Sequence, residues 1–111
     1  MKSDLIIIGA GPGGYETALA AAHQGKSVTL FNGGNLGGTC LNEGCIPTKC
    51  LCRNAEIVSQ FKHGEEFGID DFSFSVDFNK IMARKQNVVE TLRSGIDTML
   101  SQAKVNVVNA M

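Results

Sequence analysis

Three features of the sequence predict an α/β fold with a parallel sheet in βαβαβ order. The run DLIII (4–8) is continuous, apolar and β-branched, as in a strand buried on both faces of its sheet. The glycine-rich GAGPGG (9–14) follows it, and then an alanine-rich helical segment leads to a second apolar run, SVTLF (27–31). Strand, turn, helix and strand within about thirty residues make a βαβ unit, whose crossover is nearly always right-handed. A third apolar run, VNVV (105–108), supplies a further parallel strand beside the second, giving half of a doubly wound sheet.

The elements between these strands follow from local signals. The segment YETALAAAHQGK (15–26) has high helix propensity and stops at Gly25, a suitable C-terminal cap. IPTKCLCRNAEIVSQF (46–61) reads as a helix, with Pro47 tolerated in its first turn. A polar connection, KHGEE (62–66), follows it. FSFSVDF (72–78) then alternates like a strand, although an irregular loop with buried phenylalanines fits almost as well. From Asp77 a long helical pattern carries an apolar stripe of Val88, Leu92, Ile96, Met99 and Ala103. At 1.5 Å per residue that helix measures roughly 35 to 40 Å, long enough to leave part of its apolar face uncovered.

The 111 residues suit one domain and can bury roughly two-thirds of the surface of the unfolded chain. Ten basic and eleven acidic residues leave a net charge of -1, which offers no general attraction to nucleic acid or to an anionic membrane. The only apolar run at the N-terminus, Leu5 to Ile8, is too short for a signal-peptide core or a membrane span. A cytoplasmic setting is therefore expected. There, a disulfide is more often catalytic or redox-sensing than structural.

Gly9, Gly11 and Gly14 form G-x-G-x-x-G between the first strand and the first helix, with Pro12 and Gly13 completing the turn. In that context the glycines serve, in order, a tight turn, a close approach to pyrophosphate, and helix–strand packing; the phosphates lie at the helix N-terminus. An acidic residue is expected at the end of the second strand to accept from a ribose hydroxyl. Asn32 stands there instead and accepts without charge, so weaker nucleotide binding is expected.

All four cysteines fall between positions 40 and 52. The spacing of Cys40 and Cys45 permits a disulfide if the chain turns at Gly44. Cys45 would open the following helix, where the dipole stabilises a thiolate, and Lys49 would lie one turn along on the same face. Cys50 and Cys52 read as small core residues of that helix. A metal site made by all four is the rival, although the spacings are not those of paired C-x₂-C zinc modules.

GAGPGGY (9–15) together with LGGTCLNEGCIPTK (36–49) closely resembles the flavin-dependent pyridine nucleotide-disulfide oxidoreductases. Within that family the wording of the second motif is most like the branch that oxidises dihydrolipoamide; glutathione and mercuric reductases look similar. The resemblance implies FAD on the glycine turn, held also by Gly38 and Thr39, with Asn32 in place of the usual glutamate. It implies that Cys40 is the interchange thiol that meets substrate. Cys45 is then the thiol facing the flavin, in charge-transfer contact when reduced, and Lys49 the cation near the reactive flavin nitrogen; no metal is implied. Electrons would pass from a small-molecule or lipoyl-domain dithiol to the disulfide, to FAD and then to NAD⁺.

Members of the family are several times longer and act as homodimers. The resemblance therefore makes residues 1–111 the N-terminal part of an FAD-binding, Rossmann-like domain. The NAD-binding domain is absent from it, as is the dimerisation domain that supplies a histidine–glutamate pair. Neither His23, at the end of the first helix, nor His63, in the polar connection, is placed to replace that pair. Such a chain alone is expected to be inactive and prone to self-association, and a non-catalytic nucleotide-binding or interaction module is the alternative reading.

Overall fold

The computed structural model describes residues 2–70 and 73–110. Strands β1 (Leu5–Ile8), β2 (Val28–Asn32) and β3 (Asn106–Asn109) form a parallel sheet in the order β1-β2-β3. Leu5 lies opposite Val28 and Ile8 opposite Phe31, while Thr29 pairs with Asn106 and Asn32 with Asn109. The expected βαβαβ order is therefore present. Helix α1 (Pro12–His23) makes the first crossover, and α2 (Gly38–Asn42), α3 (Cys45–Lys62), a 3₁₀ turn (Gly64–Phe67) and α4 (Phe78–Gln102) make the second.

Local chemistry sets the ends of these elements. Gly25, at φ 79°, follows the α1 cap, and its N–H and that of Lys26 donate to the carbonyls of Ala22 and Ala21. This is a Schellman ending, for which glycine is the least strained residue. The Asp77 carboxylate caps α4 by accepting from the Lys80 N–H at 3.1 Å. Before that cap, residues 73–77 are irregular and add no strand; Phe72 lies outside the described residues. The alternation there serves a loop, in which the Phe74 ring rests 6.1 Å from that of Phe61.

The core lies between one face of the sheet and helices α1 and α4, where Ala18, Val28, Leu30, Val89, Ile96 and Leu100 are buried. Two expectations need correction. β1 is not buried on both faces: Leu5 and Ile7 pack against the core, but Ile6 and Ile8 are 62% and 88% exposed. β1 is an edge strand whose second face has no helix over it, whereas β2, between two neighbours, is almost wholly buried. The core stripe of α4 is also rotated. Val89, Ile96 and Leu100 face inward, while Leu92 and Met99 remain over 40% exposed.

The molecule measures 67 × 27 × 18 Å, with a radius of gyration of 19.8 Å. A compact chain of this length would have about 13 Å. The excess comes from the antiparallel pair α3 and α4, which extends past the sheet. Its outer part carries an apolar groove of about 540 Å³ lined by Leu51, Val58, Val76, Phe78 and Ile81. No helix among the described residues is long and apolar enough to cross a membrane.

Leu100 is fully buried where α4 meets the sheet and α1. Leu100→Ala is expected to cost about 2–5 kcal/mol through lost burial and the cavity left behind. Phe78→Ala, at a side chain 64% exposed, is expected to cost far less. Urea unfolding of the two variants checks the contrast.

Candidate functional site

The turn after β1 has the geometry that its glycines predict. Gly9 adopts φ 102°, and its N–H donates to the Phe31 carbonyl at 2.8 Å, so the chain leaves the sheet at a sharp angle. A Cβ on Gly14 would overlap the Gly9 carbonyl, so the first turn of α1 can press on the end of β1 only with glycine there. No side chain caps the N-terminus of α1; Pro12 has no N–H and the Gly14 and Tyr15 N–H groups donate to the Gly11 carbonyl, so the Gly13 N–H of the first turn is the one left for an anion. Gly13 is exposed in that first turn, and its carbonyl accepts from the Thr17 hydroxyl.

The segment after β2 folds back onto this turn. The Gly37 N–H donates to the Ala10 carbonyl at 2.9 Å, and Gly38, at φ 69°, packs so closely that a Cβ would collide with the Gly11 Cα. Between the two segments lies a polar groove of about 310 Å³ lined by Gly9, Gly11, Asn32, Gly34, Gly38, Thr39 and Asn42. Asn32 is buried at its floor. Its amide nitrogen donates to the Gly34 carbonyl at 2.5 Å, and its oxygen accepts weakly from the Gly34 N–H at 3.4 Å. Its side chain thus shapes the loop and keeps spare acceptor capacity toward the groove.

Residues 38–42 form the short helix α2, an element that no local pattern in the sequence predicted. Cys40 and Cys45 are joined by a disulfide, with Cα atoms 4.7 Å apart. Gly44 makes this possible by close approach rather than by a positive φ: a Cβ there would press on the Thr39 carbonyl at 3.2 Å and the Cys40 Cα at 3.3 Å. Cys45 is the first residue of the 18-residue α3 and is exposed, as is Lys49 one turn on. Cys40 is half-buried and faces a second, mainly apolar groove of about 390 Å³, lined also by Pro12, Tyr15, Leu41, Ile46, Leu92, Ile96 and Met99. The exposed residues of α4 therefore serve this groove instead of the core.

Cys50 is buried as expected, but Cys52 is exposed, because α3 packs on α2 and α4 through one narrow face only. Among the described residues no group of histidine, cysteine and acidic side chains could hold a metal ion. His23 is exposed at the end of α1, and the His63 ring lies 2.8 Å from the Ser59 carbonyl at the end of α3; neither lines the disulfide groove. The sequence reading missed Asn42 and Arg93. Arg93, from α4, donates to the Asn42 side-chain oxygen from Nε at 3.0 Å and Nη2 at 2.6 Å, a contact across 51 positions that no local pattern signals.

A parallel βαβαβ protein with a G-x-G-x-x-G turn beside a Cys-x₄-Cys disulfide is thus defined by its geometry. A model of the family described as pyridine nucleotide-disulphide oxidoreductase matches residues 3–111, and the chain belongs to that family. The chain is 47% identical over 106 residues to the dihydrolipoyl dehydrogenase of Bacillus subtilis, covering 94% of this chain and 23% of that protein. It is 44% identical over 104 residues to that of Chlamydia muridarum, covering 94% and 22%. With that of Geobacillus stearothermophilus it shares 43% over 108 residues, covering 97% and 23%. The chain thus spans under a quarter of the length of these relatives.

The burial pattern predicts a graded thiol reactivity. In the native, oxidised protein Cys52 should be alkylated within minutes, Cys50 only on unfolding, and Cys40 and Cys45 only after reduction. Mass mapping after timed alkylation checks this order.

Proposed function

We propose that the chain is the flavin- and disulfide-bearing part of an oxidoreductase that passes two electrons from a dihydrolipoyl dithiol, through FAD, to NAD⁺. The observation that carries this reading is that α2 joins two grooves: its Thr39 and Asn42 line the polar, glycine-lined one, while Cys40 of the disulfide borders the apolar one. FAD suits the first groove. The Gly13 N–H and the dipole at the start of α1 meet the diphosphate, with Gly9, Gly11, Pro12, Gly14, Gly38 and Thr39 shaping the approach, and Asn32 accepts from the ribose. When bound, the flavin supplies the two-electron acceptor that the side chains lack.

The chain's own residues do the thiol chemistry. An alkyl dithiol lies against Tyr15, Leu92 and Met99, which brings its sulfur to Cys40, the thiol that borders the apolar groove. Attack of the substrate thiolate on the Cys40 sulfur breaks the Cys40–Cys45 bond and releases Cys45 as a thiolate. The second substrate thiolate then closes the lipoyl disulfide and frees Cys40. The position of Cys45 at the start of α3 stabilises it as the leaving thiolate, and the Lys49 cation one turn along adds to that field. An apolar groove favours an alkyl dithiol over the charged tripeptide that a glutathione reductase takes. The NAD⁺ step, a histidine–glutamate acid/base pair and a homodimer belong, in this reading, to the longer proteins of the family.

A non-catalytic module that keeps the fold but holds no flavin is the second reading, favoured by the engagement of Asn32 with Gly34. Titration of the purified chain with FAD separates the two: a bound, visible flavin spectrum supports the first and a colourless protein the second. Asn32→Glu is expected to tighten FAD by ~1 kcal/mol, about fivefold in Kd, because a carboxylate makes the stronger bond to the ribose. In a Cys45→Ser variant, the Cys40 thiol should open oxidised lipoamide to a mixed disulfide. An adduct confined to Cys52, or none, would remove Cys40 from the proposed role.

A further inference from the structure

The guanidinium of Arg93 is half-buried, and the ion pairs among the described residues, Arg53–Glu56 and Lys80–Asp77, do not include it. Its hydrogen bonds go to one neutral atom, the Asn42 side-chain oxygen. Asn42 lies inside the loop that the Cys40–Cys45 bond closes. Its amide nitrogen donates to the carbonyls of Leu36 and Gly38, both at 2.9 Å. A guanidinium can only donate and a carbonyl can only accept, so the fork of Arg93 dictates which way the Asn42 amide points. The Leu36–Gly38 segment that this amide grips is also fixed to the nucleotide turn by the Gly37 N–H to the Ala10 carbonyl. A non-covalent clamp therefore runs from α4 through Asn42 to the start of α2.

We infer that Arg93 is a positioning residue for the dithiol: through Asn42 it keeps Cys40 and Cys45 facing each other while the disulfide is open. The inference rests on the reading of Cys40 and Cys45 as the redox pair. In the oxidised protein the covalent bond itself closes the loop, and the clamp adds little order. In the reduced protein the clamp alone opposes the entropy of the opened loop. Removing it therefore frees the dithiol more than the disulfide and makes the disulfide easier to reduce. A guanidinium acting through its charge would do the opposite, since it would stabilise the thiolate of the reduced form, and its removal would make the disulfide harder to reduce.

The test is equilibration of the chain, in a Cys52→Ser background, with glutathione redox buffers, followed by alkylation and mass counting. In the measured reaction the Cys40–Cys45 bond is reduced to two thiols as two glutathione thiols become one glutathione disulfide. Arg93→Ala is expected to lower the equilibrium constant for closing the disulfide about tenfold, a rise of ~30 mV in potential. Arg93→Lys, which keeps the charge and loses the fork, should shift the same way. Arg93→Gln, gentler on folding, should give a smaller shift of the same sign. In an Asn42→Ala background, Arg93→Ala should shift the constant no further. An unchanged constant with a lowered Tm would reduce Arg93 to a structural contact, and a fall in potential, or a wild-type value for Arg93→Lys, would assign it a charge role; each overturns the inference. Because the measurement reads thiols without flavin or turnover, a failure to bind FAD leaves its outcome interpretable.

Discussion

The close approach of residues 37–38 to residues 10–11 is the contact on which the rest of the site depends. It is made by backbone atoms: one hydrogen bond from Gly37 to Ala10, and Gly38 lying where any side chain would strike Gly11. Because this contact brings the end of the β2 loop back over the first turn of α1, the disulfide sits beside the glycine turn instead of on a distant loop. The glycine turn and the disulfide, about thirty residues apart in sequence, thereby stand side by side, one bordering the polar groove and the other the apolar groove. The arrangement tolerates little substitution, since the groups in contact are main-chain atoms that cannot change rotamer.

Much of this was legible in the sequence because it rests on residues with strong local preferences. The glycines of the first turn, Gly25 at the end of α1 and Asp77 at the start of α4 each specify a backbone event, and each event occurs where its residue stands. The spacing of Cys40 and Cys45 was readable for the same reason, with Gly44 allowing the approach that the bond needs. Features set by packing between distant elements were not readable. The apolar run at Ile6 and Ile8 signals a strand, but composition cannot tell a central strand from an edge. The alternation at 73–77 is shared by strands and by loops that tuck aromatic rings.

The stripe on α4 shows the same limit in a different form. Leu92 and Met99 have the right spacing for a core face, yet the sheet is met by Val89, Ile96 and Leu100, about one residue further round the helix. A helix with apolar side chains on more than one stripe can serve two neighbours, and here it serves the core and the groove beside Cys40. Arg93 flanks the core stripe on the side away from Leu92 and Met99, and only the folded arrangement gives it a partner. Its contact with Asn42 depends on the distance between α4 and α2, which no window of sequence contains.

The elongated pair of α3 and α4 has a consequence for cooperativity. Near the sheet, α4 is held by Val89, Ile96 and Leu100, but its first turns and the second half of α3 rest mainly on each other. Opening that outer part exposes little additional apolar surface, so it needs far less free energy than global unfolding. The amides of the outer hairpin then form a separate foldon, exchanging with solvent while those around Leu30 and Leu100 stay protected. Such sub-global opening precedes the cooperative unfolding of the whole chain, and the redox loop sits on the boundary between its stable and its labile parts.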